Sequence, residues 1–367
     1  MINVTKAYLP NKAKLYSYFD KIYDSAWLTN NGPFCKDLEK RLKEYLGVRN
    51  LILVSNGTLA LQIAYKALDI KGSAITTPFS FVATASSLVW EGIKPIFADI
   101  GERSWNISPA EIENKIKPDT SAIVPVHVFG NGCEVEAIKD IADRAKLKVI
   151  YDGAHAFGIR YKGESLLKWG DITTVSFHAT KLFHTIEGGA IVTENDQIAQ
   201  KIRLLANFGT NGPDKIETLG INSKMNEFQA AMGLCVLDDI EQISDGRKKV
   251  WEFYRCNLPE SLLKQEWNHN CSQNYHYYPV VFQSESDLLK TVKALNESQI
   301  FPRRYFYPSL DTLNYLDHHD SLPVSRDIAQ RILCLPIFPN LSRLEQEEIV
   351  SLVIKNVAPK AHREIPA

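Results

Sequence analysis

The chain has 367 residues, with 42 lysines and arginines against 43 aspartates and glutamates, a formal net charge of −1. That length allows a large core and two domains, and that balance leaves no basic face for nucleic acid. No window approaches the roughly 18 consecutive apolar residues of a spanning helix, so no membrane partner is expected.

The opening stretch MINVTKAYLPNKAK has no apolar core of a secretory signal. Cys35, Cys133, Cys235, Cys256, Cys271 and Cys334 show no CxxC or CxxxC spacing. They read as reduced thiols of a cytoplasmic protein, with neither a disulfide framework nor a metal site.

From residue 50 short β-rich runs alternate with longer helical patterns. Leu51–Val54 predicts a strand and Leu59–Leu68 a helix; Ala74–Thr77 a strand and Val82–Trp90 a helix; Pro95–Ala98 a strand. Ser108-Pro109-Ala110-Glu111 reads as a capping box with proline in the first turn. Ala122–Val126 predicts a strand, Val135–Ala145 a helix, and Lys148–Tyr151 a strand ending in Asp152. Thr173–Phe177 and Ala190–Thr193 are two further strands, separated by a polar turn carrying Lys181 and by Gly188-Gly189. Continuously apolar strands separated by helices predict an α/β fold with a mostly parallel sheet, covered on both faces. Ligands of such sheets gather at the carboxyl ends of the strands. A long helix is expected over Lys224–Gln242, followed by a charged stretch, Asp245–Lys249. Beyond it the pattern gives a strand at Tyr277–Phe282 and helices at Glu285–Glu297 and near Glu345–Asn356. The domain reading is therefore residues 1–240 for a large α/β domain and 241–367 for a smaller α+β domain.

A lone lysine at the end of a buried strand is costly unless it is used. Lys181 alone reads as a solvated turn residue, and Asp152 alone as a turn former or helix cap. Together, on neighbouring strand ends, they are the two groups that pyridoxal phosphate requires. A lysine forms a Schiff base with the aldehyde, and a carboxylate keeps the pyridine nitrogen protonated. A phosphate also needs a cradle, and Ser55-Asn56-Gly57-Thr58 places free backbone N–H groups and a hydroxyl at a helix N-terminus. It is not a Walker loop, because no Gly-Lys-Ser/Thr follows. Phe81 reads equally as a core aromatic or as a ring stacked on the cofactor. His155, shortly past Asp152, reads as a packed core histidine or as a group reaching the cofactor ring.

These motifs occur in one order along the chain: WLTNNGP (27–33), SNGTLAL, PVHVFG (125–130), DGAHAFG, SFHATK, EGGAIV, GINSKMNEFQAAMGL (220–234) and RRYFYPSL (303–310). In that order the chain resembles the DegT/DnrJ/StrS-type sugar aminotransferases, which are pyridoxal-phosphate enzymes of fold type I. The resemblance implies roles at matching positions. Lys181 is the Schiff-base lysine and Asp152 the partner of the pyridine nitrogen. His155 stands where many relatives have a glutamine near the ring hydroxyl, and Phe81 is the stacking aromatic. Gly57, Thr58 and Ser176 bind the phosphate, and Asn222 reaches the phosphate of the other subunit. A homodimer with active sites at the interface is implied.

The segment Lys181-Leu182-Phe183-His184-Thr185-Ile186-Glu187-Gly188-Gly189 is closer to relatives aminating C4 (Thr-Gly-Glu-Gly-Gly) than to those aminating C3. Isoleucine replaces the first glycine of that pattern. Glu187 reads equally as a structural carboxylate or as a group handling sugar or protons. The implied reaction passes an amino group from glutamate to C4 of a nucleotide-linked 4-keto-6-deoxy sugar, best matched by dTDP-4-keto-6-deoxyglucose. Its product would be dTDP-4-amino-4,6-dideoxyglucose for surface polysaccharide such as O-antigen. Alternatives are a 3-keto sugar, a UDP- or GDP-linked 4-keto sugar, an enzyme acting on amino acids only, or a regulatory protein of the same fold. A sugar dehydratase of this fold would carry histidine in place of Lys181. Departures from the family pattern include Gly72-Ser73-Ala74-Ile75 and Pro308-Ser309-Leu310, the latter in a region expected to shape the sugar pocket.

Overall fold

The computed structural model describes residues 1–316 and 322–357. Seven strands form the central sheet, in the spatial order Asn50–Val54, Gly189–Thr193, Ile172–Ser176, Lys148–Asp152, Thr120–Val124, Ser73–Thr76 and Lys94–Phe97. Six neighbouring pairs connect them; Gly189–Thr193 runs antiparallel to both its neighbours, and the other pairs are parallel. The expected α/β architecture is thus present.

Strand residues alternate between two apolar layers, as a period of two demands. Leu51, Leu53, Val149, Tyr151, Val175, Ala190 and Val192 face one core with helices Pro33–Leu46, Val135–Ala145 and Glu227–Asp238. Ile52, Val54, Ile150, Ile172 and Ile191 face the other, against helices Gly57–Ala67 and Asp196–Leu205. Both faces being covered explains why the strands read as unbroken apolar runs. A third cluster, from Val250 to Val353, gathers helices Glu285–Glu297 and Arg343–Asn356. The N-terminus joins it, because Ile2–Asn3 pairs in parallel with Ile300–Phe301.

Two local expectations are corrected. The single helix expected over Lys224–Gln242 is two helices, Glu227–Asp238 and Ile240–Asn257, which meet at Asp239. The second absorbs the charged stretch Asp245–Lys249, in which Asp245, Lys248 and Lys249 face solvent as in a loop while Arg247 is buried and donates to the His276 and Ile337 carbonyls. Ser108 does precede the helix Pro109–Asn114, but its side chain makes no capping hydrogen bond.

Glu227 is fully buried. Its carboxylate accepts the backbone N–H groups of Phe34 (2.7 Å) and Cys35 (3.0 Å). It thereby caps the helix Pro33–Leu46, whose own N-cap residue is Gly32 and offers no side chain. A Cβ at Gly32 would stand 2.6 Å from the Glu227 carboxyl carbon. One carboxylate thus fixes the turn Trp27–Pro33 against the segment that ends at Asn226.

Candidate active site

At the carboxyl ends of the parallel strands lies a cavity of about 280 Å³. Seven of the eight residues singled out from the sequence line it: Gly57, Thr58, Phe81, Asp152, His155, Ser176 and Lys181. They come from four places in the chain, and the sheet order brings them together. Asp152 ends one strand, Ser176 ends its neighbour, and the register pairs Asp152 with Thr174. Lys181 sits in the turn just beyond, its backbone N–H donating to the His178 carbonyl at 2.8 Å.

Asp152 is buried, 7% exposed. Its Oδ2 accepts the Thr84 hydroxyl at 2.8 Å and its Oδ1 the Ala154 N–H at 3.1 Å. Burial raises its carboxyl above the ordinary value, while the Ala154 N–H, Thr84 and Lys181 pull the other way. Lys181 is partly buried. Burial lowers its ammonium from 10.5 to about 8, against the attraction of Asp152. His155 is 3% exposed. Burial, then Lys181 and His127, hold it well below its usual value, so the imidazole is neutral. Its Nδ1 accepts the Phe129 N–H at 3.3 Å, which leaves the proton on Nε2. Its ring lies nearly parallel to that of Phe306, at 5.7 Å.

Another part of the cavity wall is built to take an anion. The helix Gly57–Ala67 starts there, capped by Asn56, whose side chain accepts the Leu59 N–H at 2.8 Å. A Cβ at Gly57 would stand 3.0 Å from the Ser176 Cβ, so glycine lets the helix start lie against Ser176 without crowding it. Phe81 exposes 58% of its surface on the cavity wall. An anion cradle, an exposed aromatic, a buried carboxylate and a lysine of lowered basicity fit pyridoxal phosphate on chemistry and on space.

Residues 11–354 match the DegT/DnrJ/EryC1/StrS aminotransferase family. The chain belongs to that family. It is 43% identical to a dTDP-4-amino-4,6-dideoxy-D-glucose transaminase of Shigella dysenteriae, over 96% of this chain and 98% of the relative. A transaminase of the same name from Escherichia coli is 39% identical, over 96% and 97%. Among solved structures, DesI in the presence of its TDP-sugar product superposes with a TM-score of 0.91 at 31% identity, covering 97% of this chain and 93% of that one. As a member of this aminotransferase family the protein is a pyridoxal-phosphate-dependent sugar aminotransferase, of the expected fold type I.

Asn222 is the family-implied residue that the cavity does not include. It is exposed, its side-chain oxygen accepting the Lys224 N–H at 3.4 Å. The next residue is anchored to the cradle turn, because Ser55 N–H donates to the Ser223 carbonyl at 2.6 Å. Several residues of the site, or supporting it, escaped the sequence reading. Thr84, which holds Asp152, is a helix threonine with no local signal. Tyr277 comes from a region read only as the start of a strand. Tyr305 and Phe306 lie in the 303–310 segment that carries the family resemblance.

Proposed function

We propose that the protein transfers the amino group of glutamate to C4 of dTDP-4-keto-6-deoxyglucose, as a cytoplasmic homodimer. The product, dTDP-4-amino-4,6-dideoxyglucose, would enter surface polysaccharide such as O-antigen. The observation that carries the reading is Lys181 facing buried Asp152 beside an open anion cradle. The 43% identical relative named for the same sugar supports the choice of substrate.

When bound, pyridoxal phosphate supplies an aldehyde carbon for imine chemistry and a protonated ring that stabilises a neighbouring carbanion. The chain's residues do the rest. Asp152, fixed by Thr84 and Ala154, would hold the proton on the ring nitrogen. Lys181 would hold the aldehyde as an imine and, as a free amine, would move the proton taken from the α-carbon of glutamate. Its value of about 8 suits that task, since a base poised near the working pH is neutral often enough to accept a proton. In the second half-reaction it runs the transfer in reverse and leaves the nitrogen on the sugar. His155 would offer its Nε2–H to the ring oxygen, Phe81 would lie against the ring, and Gly57, Thr58 and Ser176 would hold the phosphate.

Asn222 completes the phosphate site of the partner subunit on this reading. Its exposure, outside its own chain's cavity, supports that assignment. So do the large apolar side chains left in water, Val89 at 39%, Trp90 at 82%, Ile216 at 78% and Leu219 at 71%, which a second copy would cover. The division into residues 1–240 and 241–367 is supported by the separate apolar cluster from Val250 to Val353.

The test is incubation of the cofactor-loaded protein with glutamate and a panel of nucleotide-linked keto-sugars, followed by mass spectrometry and product NMR. Nitrogen on C4 of the dTDP sugar is expected. Nitrogen on C3, or no reaction with any 4-keto sugar, overturns the proposal.

A further inference from the structure

The turn that carries Glu187 is held in an unfavourable conformation. Ile186 adopts φ = +70°, a left-handed value that β-branched residues reach only under strain. Strain of this kind persists where the surroundings over-determine it, and here they do. The Ile186 N–H donates to His184 Nδ1 at 3.3 Å, and His184, 2% exposed, is fixed from behind as its Nε2–H donates to the Tyr8 carbonyl at 2.8 Å. The Thr185 hydroxyl donates to the Glu187 carbonyl at 2.8 Å, and Phe177 N–H to the Gly188 carbonyl at 2.8 Å. Gly188 leaves no slack either, since a Cβ there would overlap the Thr185 hydroxyl. The result of this construction is that Glu187 lines the cavity that holds Lys181.

The Glu187 carboxylate is available there. Among the described residues its one recorded side-chain partner is His178, whose Nε2 stands 3.5 Å from Oε1, too long to occupy a strong acceptor. His178 is turned toward it because its Nδ1 is engaged by Thr180, accepting the backbone N–H at 3.3 Å and standing 2.8 Å from the hydroxyl. The same short turn carries Lys181, whose N–H donates to the His178 carbonyl. Glu187 therefore presents its carboxylate to the same cavity that Lys181 lines.

An unsaturated carboxylate at that place discriminates between the two substrates. The two carboxylates of glutamate have no proton to give, so Glu187 offers them no hydrogen bond. A sugar brings hydroxyl donors, which a carboxylate accepts in a charge-assisted hydrogen bond. In a 4-keto-6-deoxyhexose the carbons flanking C4 are C3, which bears a hydroxyl, and C5, which bears the methyl group and the ring oxygen but no hydroxyl. We propose that Glu187 accepts a hydrogen bond from the C3 hydroxyl of the keto-sugar, and that it serves the sugar half-reaction alone. This inference rests on the sugar C4-aminotransferase reading given above.

The two half-reactions can be followed separately by the cofactor's absorbance change in rapid mixing, using wild type, Glu187→Gln and Glu187→Ala. The glutamate half-reaction should change less than twofold in both variants, which also shows that the loaded enzyme is intact. The apparent affinity for the keto-sugar should fall about 10- to 100-fold in Glu187→Ala, the range of a hydrogen bond to a charged group. Glu187→Gln should fall in between. Calorimetric binding of the amino-sugar product should weaken in parallel. A keto-sugar lacking the C3 hydroxyl should erase the difference between wild type and Glu187→Ala. Equal losses in both half-reactions, unchanged sugar affinity, or a difference that survives removal of the C3 hydroxyl would each overturn the proposal. Wild type that aminates no keto-sugar would instead overturn the functional reading beneath it.

Discussion

Replacing Lys181 by alanine is expected to abolish both turnover and covalent attachment of the cofactor. Borohydride reduction followed by peptide mapping checks this, and a label on any peptide without Lys181 would refute it. Burial disfavours the charged ammonium, so Lys181 sheds its proton at lower pH than an exposed lysine. The neutral amine is the base, and the rate of the glutamate half-reaction should therefore rise with pH through about 8, not fall. Rapid-mixing rates across pH 6 to 10 would show a limb of that sign, within the range where a perturbed lysine titrates. Asp152→Asn should keep the cofactor in its cradle while losing on the order of 100-fold in turnover, because an amide cannot hold the ring proton. Near wild-type rates would remove Asp152 from the mechanism. Both residues can be singled out from the sequence because Asp152 ends one strand and Lys181 lies in the turn just past the next, where α/β sheets gather chemistry. Thr84 was not. Its hydrogen bond to Asp152 crosses 68 residues of chain, and nothing local marks that threonine among its neighbours.

At the scale of elements, Glu227→Ala should destabilise the fold by about 2 kcal/mol, since two helix-end N–H groups lose their acceptor in a buried place. A lowered denaturant midpoint with unchanged slope would report it, and an unchanged midpoint would mean that water replaces the carboxylate at no cost. Most central strands and helices were readable within a few residues, as Val135–Ala145 and Glu285–Glu297 show. Their amphipathic patterns and caps are local properties. The break at Asp239 was not readable, because no glycine or proline marks it and the apolar spacing of Glu227–Asp238 hides a helix buried nearly all round. The failed cap at Ser108 teaches the converse. A capping sequence permits the hydrogen bond, but the path of the chain decides whether it forms.

For the whole molecule, the proposed assembly has a direct consequence. Light scattering should give twice the 41.5 kDa of one chain. Mixing inactive Lys181→Ala with an impaired Asn222→Ala variant should restore activity, because each heterodimer then contains one site with both residues intact. No recovery after verified subunit exchange would place Asn222 outside the partner's site. Such cross-chain relations leave no periodicity in a single sequence; only the family resemblance carried this one. The sheet order has a further consequence, for synthesis. The strand Asn50–Val54 lies at the sheet edge, and its partner in that sheet is Gly189–Thr193, which begins 135 residues later. At ordinary translation speeds it waits on the order of ten seconds for its hydrogen-bonding neighbour to be made. During that interval Leu-Ile-Leu-Val is an unpaired β-prone segment on the nascent chain, open to association with other chains. Ribosome-bound fragments stopped short of residue 189 should accordingly recruit chaperones more strongly than fragments extending past residue 193, a dependence set by the order of strands and not by the stability of the finished enzyme.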